Sequence, residues 1–405
     1  MTHAPLTRPP VPRSTTTAFR AREITVMLTV AAVAIWIGVI AFVLMRQPIL
    51  GGDFMEFYTF AALARGGQWS LQYDWTAFHK LQIALVPASA PYFYAPAYPP
   101  LAPMLYWPLS ALPFPAAFVT WAVGSSIIYI ALIDSLGRLT ATLPRAHALL
   151  GALLFPGFIA VIVLGQTTIW PLVGFIAAFH AMRLGKLFLA GLCVALVAIK
   201  PHFGIAFAFV LLLTGSWRVI AGAAAGLTFL ASATLAICGR AAIDVYIATT
   251  RLALANPGAL EPLDARHTHA VHAVLSAALP SSLVTPVWLA VTVGVAVVTA
   301  MVWRRSASWP MRFTALLLAT LLSSPHVLVY DSVLLAPAIV WLIDQAGTSG
   351  QRWVGAMAAL LAIAFVLPVA RLSFLPLTIP LMAGLLAVCF VQALPDASAA
   401  GGGRH

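Results

Sequence analysis

Four short stretches of this chain place polar side chains among apolar neighbours. They are Gly51-Gly52-Asp53-Phe54-Met55-Glu56, Gly165-Gln166-Thr167-Thr168, Lys200-Pro201-His202, and Ser323-Ser324-Pro325-His326 with Tyr330-Asp331. A carboxylate such as Asp53 can take a proton from a hydroxyl. The Lys200 ammonium can hold a phosphate as a point charge, and His202 or His326 at a helix end can donate to a departing phosphate. The Gln166 amide suits the hydroxyls of a sugar. Tyr94, Tyr98, Glu56 and Asp331 are further candidates to line a substrate.

Each of these residues also has a plainer reading. Asp53 could simply cap the helix that follows it, and Glu56, at the third helical position, could complete a capping box. Structure is the stronger reading for Glu56, and chemistry for Asp53. Lys200 could snorkel to the membrane interface, both histidines could be structural, and Gln166 could cap a turn. The case for a site rests on all four stretches converging at one face.

The elements that must position these residues are membrane spans. Of the 405 residues 62% are hydrophobic and 8% charged, where a soluble domain carries about 25% charged; mean hydropathy is +0.97. Apolar segments long enough to cross about 30 Å of hydrocarbon recur from Met27 to Val391. The alternating ten-residue segments of an outer-membrane barrel are not present. The fold class expected is all-α: a polytopic bundle of about twelve spans, with a long first outer loop containing interfacial helices. The expected spans are 27–45, 115–137, 146–164, 167–182, 187–199, 202–214, 219–238, 283–303, 312–325, 327–343, 354–370 and 373–393.

Residues 1–22 read as a disordered cytoplasmic tail, 23–394 as a single membrane domain, and 395–405 as a flexible tail. Within the domain, 46–100 forms the first outer loop and 239–282 a second large one. Bulky Leu44-Met45-Arg46 offers no cleavage site, so the first span is an uncleaved anchor with its basic tail inside. This topology puts fourteen of the 22 Lys and Arg in the cytoplasm, as the positive-inside rule requires. Seven of the 11 carboxylates, and all four polar stretches, fall outside.

In the first outer loop, Asp53 to Arg65 can form a helix ending at Gly66-Gly67. Its Phe54, Phe57, Tyr58 and Ala61 share one face. Such an aromatic helix should lie in the interface plane. The run Pro91-Tyr-Phe-Tyr94-Ala-Pro-Ala-Tyr98-Pro99-Pro100 forbids a regular helix and suggests a stacked lid or an anchor. Residues 101–112 read as a re-entrant or half-helix.

The formal charge of +11 comes from scattered residues that orient spans, so nucleic acid is not an expected partner. Cys193, Cys238 and Cys389 lie far apart in apolar segments and read as small buried hydrophobes. His267, His269 and His272 tempt a metal reading, but no Cys or carboxylate spacing surrounds them. No metal ligand set and no cofactor are assigned, and a divalent metal stays open. There is no Walker lysine loop, no G-x-G-x-x-G, no H-E-x-x-H and no Asp-x-Asp. The last absence argues against a metal-dependent enzyme using a nucleotide sugar.

The ordered set resembles glycosyltransferase family 87. It consists of Asp53-Phe-x-x-Phe-Tyr-x-Phe-Ala-Ala-Leu-Ala-Arg-Gly-Gly, Leu-Gln-Tyr73-Asp74, Tyr94 to Pro100, Gly165-Gln166, Lys200-Pro201-His202 and Pro325-His326 to Tyr330-Asp331. The resemblance runs from about residue 50 to about 345 and implies a GT-C-type helical bundle in a bacterial inner membrane, its active site on the periplasmic face. It implies an inverting hexosyltransferase, with mannose the favoured sugar. The donor would be a polyprenyl phosphate sugar, the acceptor a glycolipid or glycan, and Asp53 the catalytic base. Membrane lipid is a further expected partner. The alternatives are a flippase or transporter of lipid-linked glycans and an O-antigen-ligase-like protein, which the histidine-bearing loop 240–280 keeps open. A transporter would carry midplane polar groups and internal repeats, and neither is evident.

Overall fold

The computed structural model of the chain describes residues 15–46, 51–255, 268–367 and 376–394. Among the described residues it is all-helical, with no strand. The first half comprises α1 (Thr15–Arg46), α2 (Phe54–Arg65), α3 (Trp75–Leu85), α4 (Phe114–Gly137), α5 (Arg145–Leu153), α6 (Pro156–Leu164), α7 (Ile169–Arg183) and α8 (Leu187–Val194). The second comprises α9 (Gly204–Thr214), α10 (Trp217–Ala255), α11 (Val271–Ala278), α12 (Ser281–Arg305), α13 (Trp309–Ser323), α14 (Ala336–Ser349), α15 (Arg352–Ala364) and α16 (Thr378–Gln392).

Among the described residues, five helical segments are long and apolar enough to cross a membrane: Arg22–Phe42, Phe114–Gly137, Trp217–Leu252, Ser281–Arg305 and Val329–Ser349. The pair α5 and α6, bent by 46°, makes a sixth if counted as one span. Six further apolar helices have only 10–17 residues. At 1.5 Å per residue these are shorter than about 30 Å of hydrocarbon. Five or six full-length spans therefore stand where about twelve were expected, although an α-helix underlies every expected segment.

Burial separates the spans by role. α13 is buried continuously from Phe313 to Ser323, and that stretch belongs wholly to the core. By contrast, α1 exposes Ile24, Val30, Ile37 and Ile40 and, among its described side chains, buries Ala32 alone, the pattern of a lipid-facing helix. α10 continues past the expected end of its span, turning at Gly239 (φ 77°) and remaining helical to Ala255.

The first outer loop departs most from expectation. α2 does not lie on a surface, because ten of its twelve residues are buried. The expected aromatic face packs on Tyr98, Tyr106, Phe114 and Phe118, with Phe57 and Tyr106 stacked at 4.9 Å. The opposite side is covered as well, since Phe60 meets Tyr73 and Phe78. A helix with apolar partners all round belongs to a core. Residues 102–105 and 109–111 form single 3-10 turns instead of a half-helix, because Pro103, Pro108 and Pro113 deny consecutive backbone donors.

Candidate active site

Asp53 is fixed by the backbone of a different helix. Leu164 ends α6, and its carbonyl would lack an intrahelical donor; it accepts the Asp53 N–H at 2.9 Å. The junction needs two glycines. Gly165 sits at φ 75°, and a Cβ there would come within 2.4 Å of the Phe54 Cβ. Gly51 sits at φ 61°, where a Cβ would meet the Phe118 ring at 2.1 Å. Both conformations are left-handed, which only glycine adopts without strain.

With the chain so joined, Gln166 Nε2 donates to Asp53 Oδ2 at 2.5 Å, and Gln166 Oε1 accepts from the Tyr98 hydroxyl at 3.1 Å. An ionised carboxylate only accepts, so the amide nitrogen must face Asp53 and the phenol must donate to the oxygen. The two capping readings are corrected here. Asp53 has helical backbone angles (φ −68°, ψ −21°) and makes no side-chain cap. Glu56 does not turn back to Asp53: its Oε1 accepts the Ala97 N–H at 2.8 Å and ties the proline-rich run to α2. That run is further held by Tyr73, whose hydroxyl donates to the Tyr98 carbonyl at 2.5 Å.

The second half of the site is a buried ion pair. Lys200 Nζ lies 2.8 Å from Asp331 Oδ1, with side-chain exposures of 5% and 0%. Thr168 Oγ1 also donates to Oδ1 at 3.0 Å, and the Leu328 N–H donates to Oδ2 at 3.0 Å. The ammonium further sits 4.5 Å from the Tyr330 ring centre, with Tyr98 and Phe203 at 5.9 and 5.7 Å. Three ring faces and one carboxylate enclose the cation. Both Asp331 oxygens are engaged within the protein, so this carboxylate holds Lys200 and the 328–331 turn in place.

The charges of the two halves feel one another. Burial raises the Asp53 pKa above its ordinary value, the Gln166 hydrogen bond and the Lys200 charge oppose that rise, and Asp331 adds to it. His326 is pushed down by burial, with Asp331 opposing, so it is a neutral donor or acceptor near neutral pH. His202 stacks edge-on to Phe203 at 4.3 Å, and its buried Nε2 has no hydrogen-bond partner. A Cβ on Gly52 would lie 3.0 Å from the Tyr94 hydroxyl, whose pKa burial and the Asp53 charge raise to about 12.

Asp53, Gln166, Tyr98, Lys200 and Asp331 thus form one connected cluster, with His202, His326, Tyr94 and Glu56 around it. All sit at the end of the bundle where α1 exits, α6 and α13 finish, and α7 and α14 begin. The opposite end carries Asp134 with Arg138 and Arg145, and Asp344 holding the backbone N–H groups of Ala141, Thr142 and Leu143. Among the described residues no group of three or more His, Cys, Asp or Glu could hold a metal ion. His269 bonds Thr378 at 3.1 Å and His272 packs on Trp288, while His267 lies outside the described residues.

Sequence reasoning did not assign Thr168, Phe203 or Gln82. Thr168 stands in the Gly165–Thr168 stretch singled out above but was given no role of its own. Gln82 lies four residues after Phe78 on the buried stripe of α3 and grips the Tyr94 backbone through both amide atoms, at 2.9 and 3.4 Å. A lone amide on an apolar helical stripe is the signal that could have found it.

Residues 97–329, more than half of the chain, match the family model of glycosyltransferase family 87. The match includes Tyr98, Gln166, Lys200, His202 and His326; Asp53 precedes it and joins it through Gln166. No curated protein and no solved structure matches the chain.

Proposed function

The chain belongs to glycosyltransferase family 87 and is a membrane glycosyltransferase, and we propose that it transfers a hexose, mannose by preference, from a polyprenyl phosphate donor to a glycolipid or glycan acceptor with inversion. The observation that carries this reading is the Asp53 carboxylate, half-buried, held by one amide and backed by the Lys200–Asp331 pair. Asp53 removes the proton of an acceptor hydroxyl. The hydroxyl oxygen attacks the anomeric carbon, the bond to the phosphate oxygen breaks, and the polyprenyl phosphate leaves with the electron pair. Burial raises the proton affinity of Asp53, which makes it a stronger base than a solvated carboxylate.

The departing phosphate needs donors aimed at its growing charge. Lys200 supplies a cation already oriented by Asp331, and His202 supplies a ring nitrogen not otherwise bonded. Neutral His326 can donate alongside them. The Lys200 charge is balanced by Asp331, so the phosphate is held by oriented hydrogen bonds more than by net positive charge. Phosphate is a competent leaving group, and no cofactor enters the scheme.

The short helices flanking the site support reading the bundle as a GT-C-type membrane fold of about twelve crossing segments, several of them broken around the polar centre. The basic residues at the opposite end support a cytoplasmic placement for that end. The site then opens on the periplasmic face of a bacterial inner membrane. In purified protein reconstituted in liposomes, labelled polyprenyl phosphate mannose should transfer its sugar to an envelope glycolipid extract. Transfer from a nucleotide sugar alone would overturn the donor assignment.

A further inference from the structure

Trp75, Thr76, His79, Lys80, Ile83 and Phe93 line an open groove of about 380 Å³ on the same outer segment. That is the scale of a small-molecule site. We propose that this groove is an acceptor subsite, binding the saccharide next to the one that carries the attacking hydroxyl. The inference rests on the glycosyltransferase reading and adds the residues that hold the acceptor.

The geometry of α3 carries the argument. Trp75, His79 and Ile83 recur at four-residue spacing and form the groove face, while Phe78 and Gln82 form the buried stripe and anchor the helix. Phe93 closes the groove from the facing loop, its ring 5.9 Å from Trp75 and 5.2 Å from His79. The next residue is Tyr94, whose hydroxyl lies against Gly52 beside Asp53. Gln82 fixes both backbone groups of Tyr94 onto α3. Groove and base are therefore parts of one braced unit, separated by the two sides of a single extended segment.

The lining also suits a sugar. A hexose presents C–H groups on one face and hydroxyls around its edge. Trp75 and Phe93 offer ring faces for the first. Exposed Thr76 and Lys80 offer polar atoms for the second.

The test uses protein in phospholipid nanodiscs and methyl dimannoside as probe, with binding measured calorimetrically in the absence of donor. Trp75→Ala should weaken binding about tenfold, the scale of one lost ring contact, and Trp75→Phe should recover most of it. Binding unchanged by Trp75→Ala overturns the subsite. So does a Trp75→Ala protein that binds normally but dissociates from lipid, since the ring is then a membrane anchor. If Trp75→Ala loses binding while the parent transfers no sugar from polyprenyl phosphate mannose, the groove stands and the proposed donor fails.

Discussion

Lys200→Met removes the cation from a pair that is almost wholly out of water. Asp331 would retain Thr168 and the Leu328 N–H but would be a fully buried carboxylate without the ammonium that pairs it. Breaking a buried pair on one side costs about 3–5 kcal/mol, whereas replacing both partners with apolar groups is often neutral. Lys200→Met should therefore lower the apparent unfolding temperature by roughly 5–10 °C. The double change Lys200→Met with Asp331→Leu should recover most of that loss, the non-additivity expected of residues in contact. The assay is size-exclusion recovery after heating in one detergent, run on the parent, both single variants and the double. A Lys200→Met protein that melts with the parent, or a double variant at the sum of the two losses, would refute the pairing argument. Activity would then separate architecture from chemistry: the double variant should fold and still show a raised KM for the lipid donor.

Gly165→Ala adds a Cβ against Phe54 in a left-handed conformation. Strain and overpacking together should cost roughly 2–5 kcal/mol, and turnover should fall as Asp53 moves from Gln166; unchanged turnover would show that this junction does not set the base. Glu56→Gln keeps an oxygen for the Ala97 N–H and should retain most turnover, whereas Glu56→Ala should lose about 1–3 kcal/mol of stability; an inactive, stable Glu56→Gln protein would make Glu56 catalytic. Because Asp53 must be ionised to accept a proton and burial raises its pKa, the rate should fall as pH drops through a value above the ordinary carboxylate range. An acid limb at the ordinary value would contradict the burial of this group.

Most of the helical layout was legible because apolar length and charge punctuation are local properties. The helix 54–65 and its aromatic face were readable from i, i+3, i+4 spacing, but its burial was not. The residues that cover its far side, Tyr73 and Phe78, come from later turns whose packing no local pattern fixes. The four polar stretches were visible as polar residues in apolar surroundings, and they do meet at one end of the bundle. What the pattern could not reveal is how they are partnered. Lys200 read as a free point charge because Asp331 lies 131 positions away. The bond between Asp53 and Gln166 was not legible because it is reached only through the Gly51–Gly165 junction. Span length was the less legible part for a physical reason: a hydrophobic stretch of 13 residues reads as a crossing although its helix is only about 20 Å long.

The most direct test of the central claim is Asp53→Asn, assayed for sugar transfer from polyprenyl phosphate mannose at saturating donor and acceptor. The side chain keeps its size and can still bond Gln166, so folding and donor binding should match the parent. Removal of a general base should lower kcat about 10²–10⁴-fold and abolish the acid limb of the pH profile. A folded Asp53→Asn protein with parental kcat and an unchanged acid limb would contradict the account.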